Sequence, residues 1–237
     1  MKRLVVLHGW GSCRERWKKV EELLKSKGIE VLIPELPGFG SSPAPKEVWG
    51  PEEYAEWTLD FLEKNKWQRF NLLGHSFGGS IAAILASKHP EMIEKLILCS
   101  PAIIRKRKRG LKILIFSTIA KIGKKIFSLP GLKRFYPFFR KVIYKFLGSK
   151  DYYLATGIMK KIFKKVIQTD LGYLLKEIKN PTLILWGEKD DQIPVKYGYF
   201  LKERIKNSKL VVFPKIKHSP HREAPERLIE EIISFID

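Results

Sequence analysis

Residues 70–79 read FNLLGHSFGG, and this short stretch decides the fold. Its first four residues are mostly apolar, a GxSxG motif follows with its serine at Ser76, and residues 80–87 (SIAAILAS) continue at helical spacing. A strand, a sharp turn and a helix in this order hold the serine hydroxyl above the sheet edge, within reach of a base. Gly74 and Gly78 are small enough to permit so tight a turn. The motif therefore predicts Ser76 as a nucleophile.

Two later segments offer the partners that a serine nucleophile needs. Residues 182–194 (TLILWGEKDDQIP) read as a buried strand that ends at a glycine and is followed by Asp190 and Asp191. Residues 210–214 (LVVFP) read as another strand, and the loop after it carries His218. In serine hydrolases a histidine accepts the serine proton and a carboxylate holds the imidazole in the required tautomer. His218 is the predicted base, and one of the two aspartates is the predicted acid.

The pattern along the whole chain is that of an α/β fold. Short β-rich runs alternate with helical stretches, as expected for a parallel sheet covered by helices on both faces. With 237 residues and 44% hydrophobic composition, the chain is long enough for one core with one insertion. The six predicted strands span residues 3–7, 29–33, 70–73, 95–99, 182–186 and 209–213.

At this point the sequence resembles the α/β-hydrolase superfamily, in particular its serine esterase and lipase branch. The matching segments, in chain order, are HGWG (8–11), LPGFGS (36–41), GHSFGG (74–79), WGEKDDQIP (186–194) and KHSPHREAP (217–225). The resemblance implies the α/β-hydrolase fold, with a mostly parallel sheet, helices on both faces and an inserted helical cap. It predicts about six strands, with the first strand nearer an edge, because the two antiparallel strands that precede HisGly in the family have no counterpart in this sequence.

The resemblance also assigns the triad acid. In the family the acid usually lies three residues after the strand-ending glycine, here Gly187, with a proline four residues later. That pattern selects Asp190 over Asp191, so the predicted triad is Ser76, Asp190 and His218.

Two backbone amides are implied as the oxyanion hole, the pair of N–H donors that binds the developing oxyanion. One belongs to Phe77, the residue after the nucleophile, and the other to Trp10, the residue after HisGly. Their side chains are expected to wall the pocket.

The other histidines are interpreted as structural. His8 resembles the family's histidine that braces the oxyanion loop, His75 lies inside the elbow and His89 at a helix end. His221 follows the predicted base by three residues and is a candidate for the cleft mouth. No His or Cys pair beside other ligands has the spacing of a metal site, so neither a metal nor a cofactor is predicted.

Positive charge is concentrated in one segment. The chain has 45 Lys and Arg against 25 Asp and Glu, and residues 102–180 hold 21 of the basic residues but only 3 of the acidic ones. By its position this segment resembles the family's cap, so the predicted organisation is a hydrolase core at 1–101 and 181–237 with a basic helical cap at 102–180. Helices are predicted at 111–127, 135–147 and 151–168.

Three interpretations of the basic segment compete. Its lysines are solvated on a cap that covers the pocket, or they bind an anionic lipid surface, as basic amphipathic helices do. Nucleic-acid binding is disfavoured because the sequence has no recognised nucleic-acid module. The N-terminal residues contain no apolar signal region, which predicts a cytoplasmic location, peripheral to the membrane if the cap binds lipid.

The predicted function is a carboxylesterase-type serine hydrolase (EC 3.1.1.-) that cleaves short- to medium-chain esters through an acyl-serine. Two alternatives stay open: a lipid- or thioester-directed acyl hydrolase at an anionic membrane surface, and a non-catalytic binding protein on the same fold. The predicted partner is a small-molecule ester, and the sequence leaves the oligomeric state open.

Overall fold

The computed structural model describes residues 2–104, 133–135 and 155–237 of the chain. Within them six strands form one sheet in which every neighbouring pair is parallel. The strands are β1 (Arg3–Leu7), β2 (Glu30–Leu32), β3 (Phe70–His75), β4 (Ile93–Cys99), β5 (Thr182–Gly187) and β6 (Ser208–Phe213). The predicted α/β-hydrolase fold, with about six strands, is confirmed.

The strand order is β2-β1-β3-β4-β5-β6, and burial follows this order. Every residue of β3 and β5 is buried, whereas β2 and β6 at the edges are mostly half-buried. Parallel strands covered on both faces are apolar throughout, which explains why the central strands read as continuous hydrophobic runs. As predicted, β1 lies next to an edge strand.

Helices cover both faces of the sheet. In the described part of the chain they are α1 (Lys18–Lys25), α2 (Pro51–Lys64), α3 (Phe77–Lys88), α4 (Gly157–Gln168), α5 (Lys196–Arg204), α6 (Pro220–Glu223) and α7 (Pro225–Ile236). Short 3-10 turns add Arg14–Trp17, Pro90–Met92, Lys133–Phe135 and Gly172–Lys176. α3 is apolar nearly all round because it packs at the centre of the molecule, where ten of its residues are buried.

The sheet separates two hydrophobic layers. Alternate residues of β1 point to opposite faces, so Val5 and Leu7 enter one layer while Leu4 and Val6 enter the other. The first layer is completed by α2, α3, α4 and α5, and the second by α1 and α7. Both faces of the sheet are therefore protected from water, and the carboxyl ends of the strands are left to carry a site.

The described part of the predicted cap includes one helix. α4 begins at Gly157, and its buried residues Ile162 and Val166 pack into the first hydrophobic layer. The helix predicted for 151–168 includes the whole of α4, and residues 151–154 lie outside the described residues. The predicted helix 111–127 also lies outside them, as does the predicted helix 135–147 except for Phe135. The division into core and cap stays a prediction.

Both cysteines are free thiols: Cys99 is buried at the end of β4, and Cys13 is half-buried. Among the described residues, no helix combines the length and the apolar character that crossing a membrane requires.

Candidate active site

Ser76 occupies the turn between β3 and α3, as the motif predicts. Its backbone has φ 52° and ψ −114°, a conformation that non-glycine residues seldom adopt. Hydrogen bonds fix the turn: the Ser76 N–H donates to the Cys99 carbonyl at 3.0 Å, and the Ser76 carbonyl accepts from Ala102 N–H at 2.9 Å. A strained serine held from both sides is a common feature of functional sites.

Glycine is required beside the serine because backbones approach closely there. A Cβ added at Gly78 would lie 2.1 Å from the Leu7 carbonyl oxygen, and one added at Gly74 would lie 2.5 Å from the Gly78 oxygen. These distances are shorter than any van der Waals contact. The two glycines of the motif therefore allow α3 to start directly against β1.

His218 lies between Ser76 and Asp190. Its Nε2 is 3.0 Å from Ser76 Oγ, and its Nδ1 is 2.7 Å from Asp190 Oδ2. Both distances are those of hydrogen bonds, so the imidazole bridges the hydroxyl and the carboxylate. The structure brings the three residues of the predicted triad into one chain of hydrogen bonds.

The loop after β5 orients the carboxylate of Asp190. Its Oδ1 accepts hydrogen bonds from the backbone N–H groups of Gln192 at 2.9 Å and Ile193 at 2.8 Å, which leaves Oδ2 for the histidine. Asp190 is buried, whereas Asp191 is exposed. Only Asp190, the residue selected by the family pattern, contacts His218.

The loop that carries His218 packs tightly on the end of β5. A Cβ added at Gly187 would lie 1.9 Å from the Lys217 carbonyl oxygen, so the strand-ending glycine lets the two loops touch. His75 adds a second anchor, since its Nε2 lies 2.9 Å from the His218 carbonyl oxygen and donates to it. The base is therefore held by its backbone as well as by its ring.

The backbone amides of Trp10 and Phe77 are the predicted oxyanion donors. In residues 2–104, 133–135 and 155–237, neither N–H donates a hydrogen bond to the protein. Phe77 is the first residue of α3, where helical N–H groups have no intrahelical acceptor. Gly9, which precedes Trp10, lies against the nucleophile, because a Cβ added there would be 3.2 Å from Ser76 Cβ. One free donor thus follows the serine in the chain, and the other follows the glycine that lies against it.

His8 braces the loop that carries Trp10. Its Nε2 accepts the Leu36 N–H at 3.2 Å, so Nδ1 carries the proton and donates to the Gly9 carbonyl at 2.9 Å. Burial lowers the pKa of His8 below its usual value, which keeps the ring neutral and this pattern intact. The structural interpretation of His8 agrees with these contacts.

His221 lines the cavity beside the triad, but its ring is buried. It stacks on Trp17 with ring centroids 4.1 Å apart and an interplanar angle of 4°. Its ring also meets His75 edge-on at 4.6 Å. Burial is the main cause that lowers the pKa of His75, to about 3, and the pKa of His221. His221 therefore supports the wall of the site rather than standing open at the cleft mouth.

A cavity of about 520 Å³ opens over Ser76 and His218. Its lining includes the apolar side chains of Trp10, Phe39 and Met159 and the basic side chains of Arg16 and Arg222. Sequence reasoning missed Met159, Arg16 and Arg222. Phe39 belongs to the matched segment at 36–41, so a signal for it was present.

α4 contributes Met159 to the lining of this cavity and packs against Trp10. The Trp10 ring packs edge-on against Phe163 at 4.9 Å, and an added Cβ at Gly38 would lie 2.4 Å from Met159 Sδ. Lys165 Nζ lies 2.5 Å from Glu53 Oε1, which ties the helix to α2. Ala155, Thr156 and Met159, in the described part of the basic segment, thus line the cavity.

The arrangement suits acyl transfer. It places a hydroxyl nucleophile and an imidazole base at one cavity, with a buried carboxylate bonded to the base. Free backbone amides at Trp10 and Phe77 are available as oxyanion donors. Among the described residues, no group of three or more His, Cys, Asp or Glu is arranged to hold a metal ion.

Comparison with known proteins finds similarity to hydrolases of the same fold. Residues 2–114 match the family model described as alpha/beta hydrolase fold. A pimeloyl-[acyl-carrier protein] methyl ester esterase of Aliivibrio fischeri is 27% identical over 254 residues, which cover 99% of this chain and 93% of that protein. An uncharacterized hydrolase of Bacillus subtilis, YugF, is 26% identical over 269 residues, which cover 98% of this chain and 89% of that protein.

Solved structures share the fold over the full chain. A membrane phospholipase A, described as a bacterial virulence factor, superposes with a TM-score of 0.77 at 25% identity, covering 100% of this chain and 78% of that one. An esterase from Exiguobacterium antarcticum superposes with a TM-score of 0.75 at 21% identity, covering 100% and 92%. At 21% identity, the likeness to the Exiguobacterium esterase concerns the fold alone.

Proposed function

We propose that this chain, which has the fold of the α/β-hydrolase superfamily, is a serine hydrolase that cleaves carboxylic esters through an acyl-serine. The observation that carries the proposal is the hydrogen-bonded chain from Ser76 through His218 to Asp190, with two free amides beside the serine. The methyl ester esterase and the phospholipase among the similar proteins support an ester as the bond that is cleaved.

In the first step Ser76 Oγ attacks the ester carbonyl carbon. His218 Nε2, 3.0 Å away, accepts the hydroxyl proton as the new C–O bond forms. The imidazolium that results is stabilised by the carboxylate of Asp190, which accepts Nδ1–H at 2.7 Å. Because Asp190 Oδ1 is already bonded to two backbone amides, its carboxylate keeps the orientation that selects this tautomer.

The negative charge that develops on the carbonyl oxygen needs fixed donors. The N–H groups of Trp10 and Phe77 serve as this oxyanion hole, and loss of one such donor typically costs about 10²-fold to 10³-fold in rate. Both are backbone groups, so replacing either side chain leaves the donor in place. Their position at a braced loop and a helix start means that they need little reorganisation during the reaction.

The intermediate then collapses and the leaving alcohol departs. His218 Nε2 returns its proton to the alcohol oxygen as the C–O bond breaks, which leaves the acyl group on Ser76. Water repeats the sequence: His218 removes its proton, the hydroxide adds to the acyl carbon, and the serine leaves with the proton. The products are a carboxylic acid and an alcohol.

The shape of the cavity favours short- to medium-chain acyl groups. Trp10, Phe39 and Met159 provide apolar surface in the cavity of the nucleophile, and α4 packs against it through the contact of Phe163 with Trp10. Each buried methylene contributes about 0.8 kcal/mol, so acyl length is selected by how many methylenes this side accepts.

The direct test is hydrolysis of p-nitrophenyl esters from acetate to palmitate by wild type and by Ser76→Ala. We expect Ser76→Ala to lose about 10⁶-fold in kcat, as serine removal does in other triads. Ser87→Ala is the matched control, since Ser87 lies on the same helix, outside the cavity lining, and its Oγ donates to the Ile84 carbonyl. If wild type and Ser76→Ala are folded and equally inert on every ester, ester hydrolysis is the wrong chemistry.

A second candidate is acyl hydrolysis of lipids or thioesters at an anionic membrane surface, with the protein peripheral to the membrane. The charge of residues 102–180 favours it, as does α4, which has lysines at 160, 161, 164 and 165 and no acidic residue. Basic residues near an anionic surface contribute about 1 kcal/mol each. Co-sedimentation with vesicles containing phosphatidylserine tests this candidate, and binding that is absent or insensitive to salt eliminates it.

A fluorophosphonate probe separates both candidates from a non-catalytic binding role. The probe forms a covalent bond with an activated serine, so wild type should be labelled and Ser76→Ala should not. A folded wild-type protein that resists labelling would favour a binding protein on the hydrolase fold.

A further inference from the structure

We infer that Arg16 and Arg222 form a subsite for an anionic group, a carboxylate or a phosphate, on the alcohol part of the ester. The inference rests on the proposed ester hydrolysis and narrows its substrate class. Both arginines line the cavity of about 520 Å³ that contains Ser76 and His218.

The fold brings the two arginines together from distant parts of the sequence. Arg16 precedes Trp17 in the 3-10 turn Arg14–Trp17, and Arg222 follows His221 in α6. Because the Trp17 and His221 rings stack at 4.1 Å, the two short segments that carry the arginines lie side by side, and both arginines line the same cavity. Their charges also act on the same ring: after burial and His75, Arg222 and Arg16 help to lower the pKa of His221.

Neither guanidinium is neutralised by a carboxylate in the part of the chain that the structure describes. The contrast with Arg14 is direct, since that side chain forms a two-point ion pair with Glu21. Glu223, the neighbour of Arg222, accepts the backbone N–H groups of Lys217 and Ser219. Two like charges are thus left at one cavity wall, a placement that attracts an anion.

The chemistry of the triad determines which part of the substrate lies there. The leaving alcohol must lie next to His218 Nε2, because that atom returns the proton to it. The His221 ring, next to Arg222, meets His75 at 4.6 Å, and His75 meets His218 at 5.1 Å. We therefore assign the arginines to the His218 end of the cavity, and Trp10, which packs on Phe163 of α4, to the acyl end. Guanidinium groups bind carboxylate and phosphate oxygens through paired N–H donors, which defines the anion that fits.

The test compares esters with the same acyl group and neutral or anionic alcohols. For carboxylate, phenyl butyrate is paired with 4-carboxyphenyl butyrate; for phosphate, glycerol monobutyrate is paired with 1-butyryl-glycerol 3-phosphate. The readout is the ratio of kcat/KM within each pair, measured for wild type, Arg16→Gln, Arg222→Gln and the double variant. Arg204→Gln is the charge-matched control, because Arg204 is exposed and stacks over Phe200 outside the cavity.

We expect wild type to prefer the anionic ester of at least one pair, and each cavity variant to reduce that preference by about two- to fivefold, as for exposed ion pairs. The double variant should lose the preference, Arg204→Gln should keep it, and added salt should weaken it in wild type. The pair that shows the preference identifies the anion as carboxylate or phosphate. The neutral ester of each pair is the internal reference, so a loss that both esters share does not count as a loss of preference.

Two outcomes overturn the inference while leaving ester hydrolysis in place. One is a wild type that cleaves the neutral and anionic esters of both pairs equally. The other is a preference that survives in the double variant or falls equally in Arg204→Gln. If no ester in either pair is cleaved and the fluorophosphonate probe does not label Ser76, the proposed function itself is wrong.

Discussion

The carboxylate of Asp190 and the imidazole of His218 meet at 2.7 Å, and the contact is closed to solvent on the carboxylate side. The carboxylate oxygen that does not face His218 accepts two backbone N–H groups. A carboxylate with this surrounding fixes the orientation of its partner ring. The relationship separates Asp190 from its exposed neighbour Asp191, which has the same chemistry and a different environment.

We therefore predict that Asp190→Asn and Asp191→Asn have very different effects. The asparagine amide at 190 would favour the wrong histidine tautomer, so kcat should fall by about 10³-fold to 10⁴-fold. At 191 the change should stay within about twofold, because exposed substitutions away from a site rarely perturb it. The measurement is p-nitrophenyl butyrate hydrolysis, with thermal melting to show that both variants are folded. Equal losses in the two variants would contradict the assigned acid.

The sequence was sufficient to predict the sheet, the turn at Ser76 and the neighbourhood of His218, because these are local patterns. Strand, turn and helix follow one another within residues 70–88, and the acid and base each follow a short apolar run. The choice between Asp190 and Asp191 needed the family pattern, since adjacent aspartates are indistinguishable by composition. Their environments differ only after the loop has folded onto the His218 segment.

Contacts between distant segments could not be predicted in the same way. The stack of Trp17 on His221 joins residues that are about two hundred positions apart, and neither residue carries a local signal for the other. The contact of Met159 with Gly38 could not be predicted either, because it depends on where α4 lies over the sheet. Pockets built from such contacts become visible only in the folded chain.

A second prediction concerns the close approach at Gly78. The added methyl of Gly78→Ala would lie 2.1 Å from the Leu7 carbonyl, so β1 or α3 must shift. Gly28→Ala is the matched control: its φ is +75° and nothing lies within 4 Å of an added Cβ. The control should cost about 1–2 kcal/mol from backbone strain alone. In urea unfolding, Gly78→Ala should lose clearly more than this or fail to fold, and equal losses would contradict the steric argument.

A third prediction concerns acyl length. Met159→Ala shortens a side chain on the apolar wall of the cavity, so the preferred p-nitrophenyl ester should become longer. Esters beyond the wild-type optimum should gain about tenfold in kcat/KM, the usual effect of one methylene in an apolar pocket. Ile167→Ala, on the same helix but exposed, is the control and should keep the wild-type optimum. An unchanged optimum in Met159→Ala would show that the acyl chain lies elsewhere.

The last prediction concerns acid. Burial, aided by the charge of His218, lowers the pKa of His75 to about 3 from an ordinary value of 6.5, and burial also lowers the pKa of His221. Below pH 6.5 the unfolded chain binds protons that the folded protein excludes, so the free energy of unfolding falls as the pH falls. The contribution that these buried, neutral histidines make to the free energy of unfolding is fully present above pH 6.5. For His75 it is lost progressively as the pH falls to about 3. Each such histidine contributes a slope of up to about 1.4 kcal/mol per pH unit.

Replacing His221 isolates one of these contributions. His221→Phe keeps an aromatic ring on Trp17 and removes the titrating group, so urea unfolding at pH 7, 6 and 5 should show a flatter decline than in wild type. Trp17→Phe disturbs the same stack without removing a histidine, and its decline should match that of wild type. If His221→Phe declines as steeply as wild type, the folded protein already accepts a proton on this ring near pH 6. The ring would then be open to solvent. That result would contradict the buried stack of Trp17 on His221, which brings the segments of Arg16 and Arg222 together.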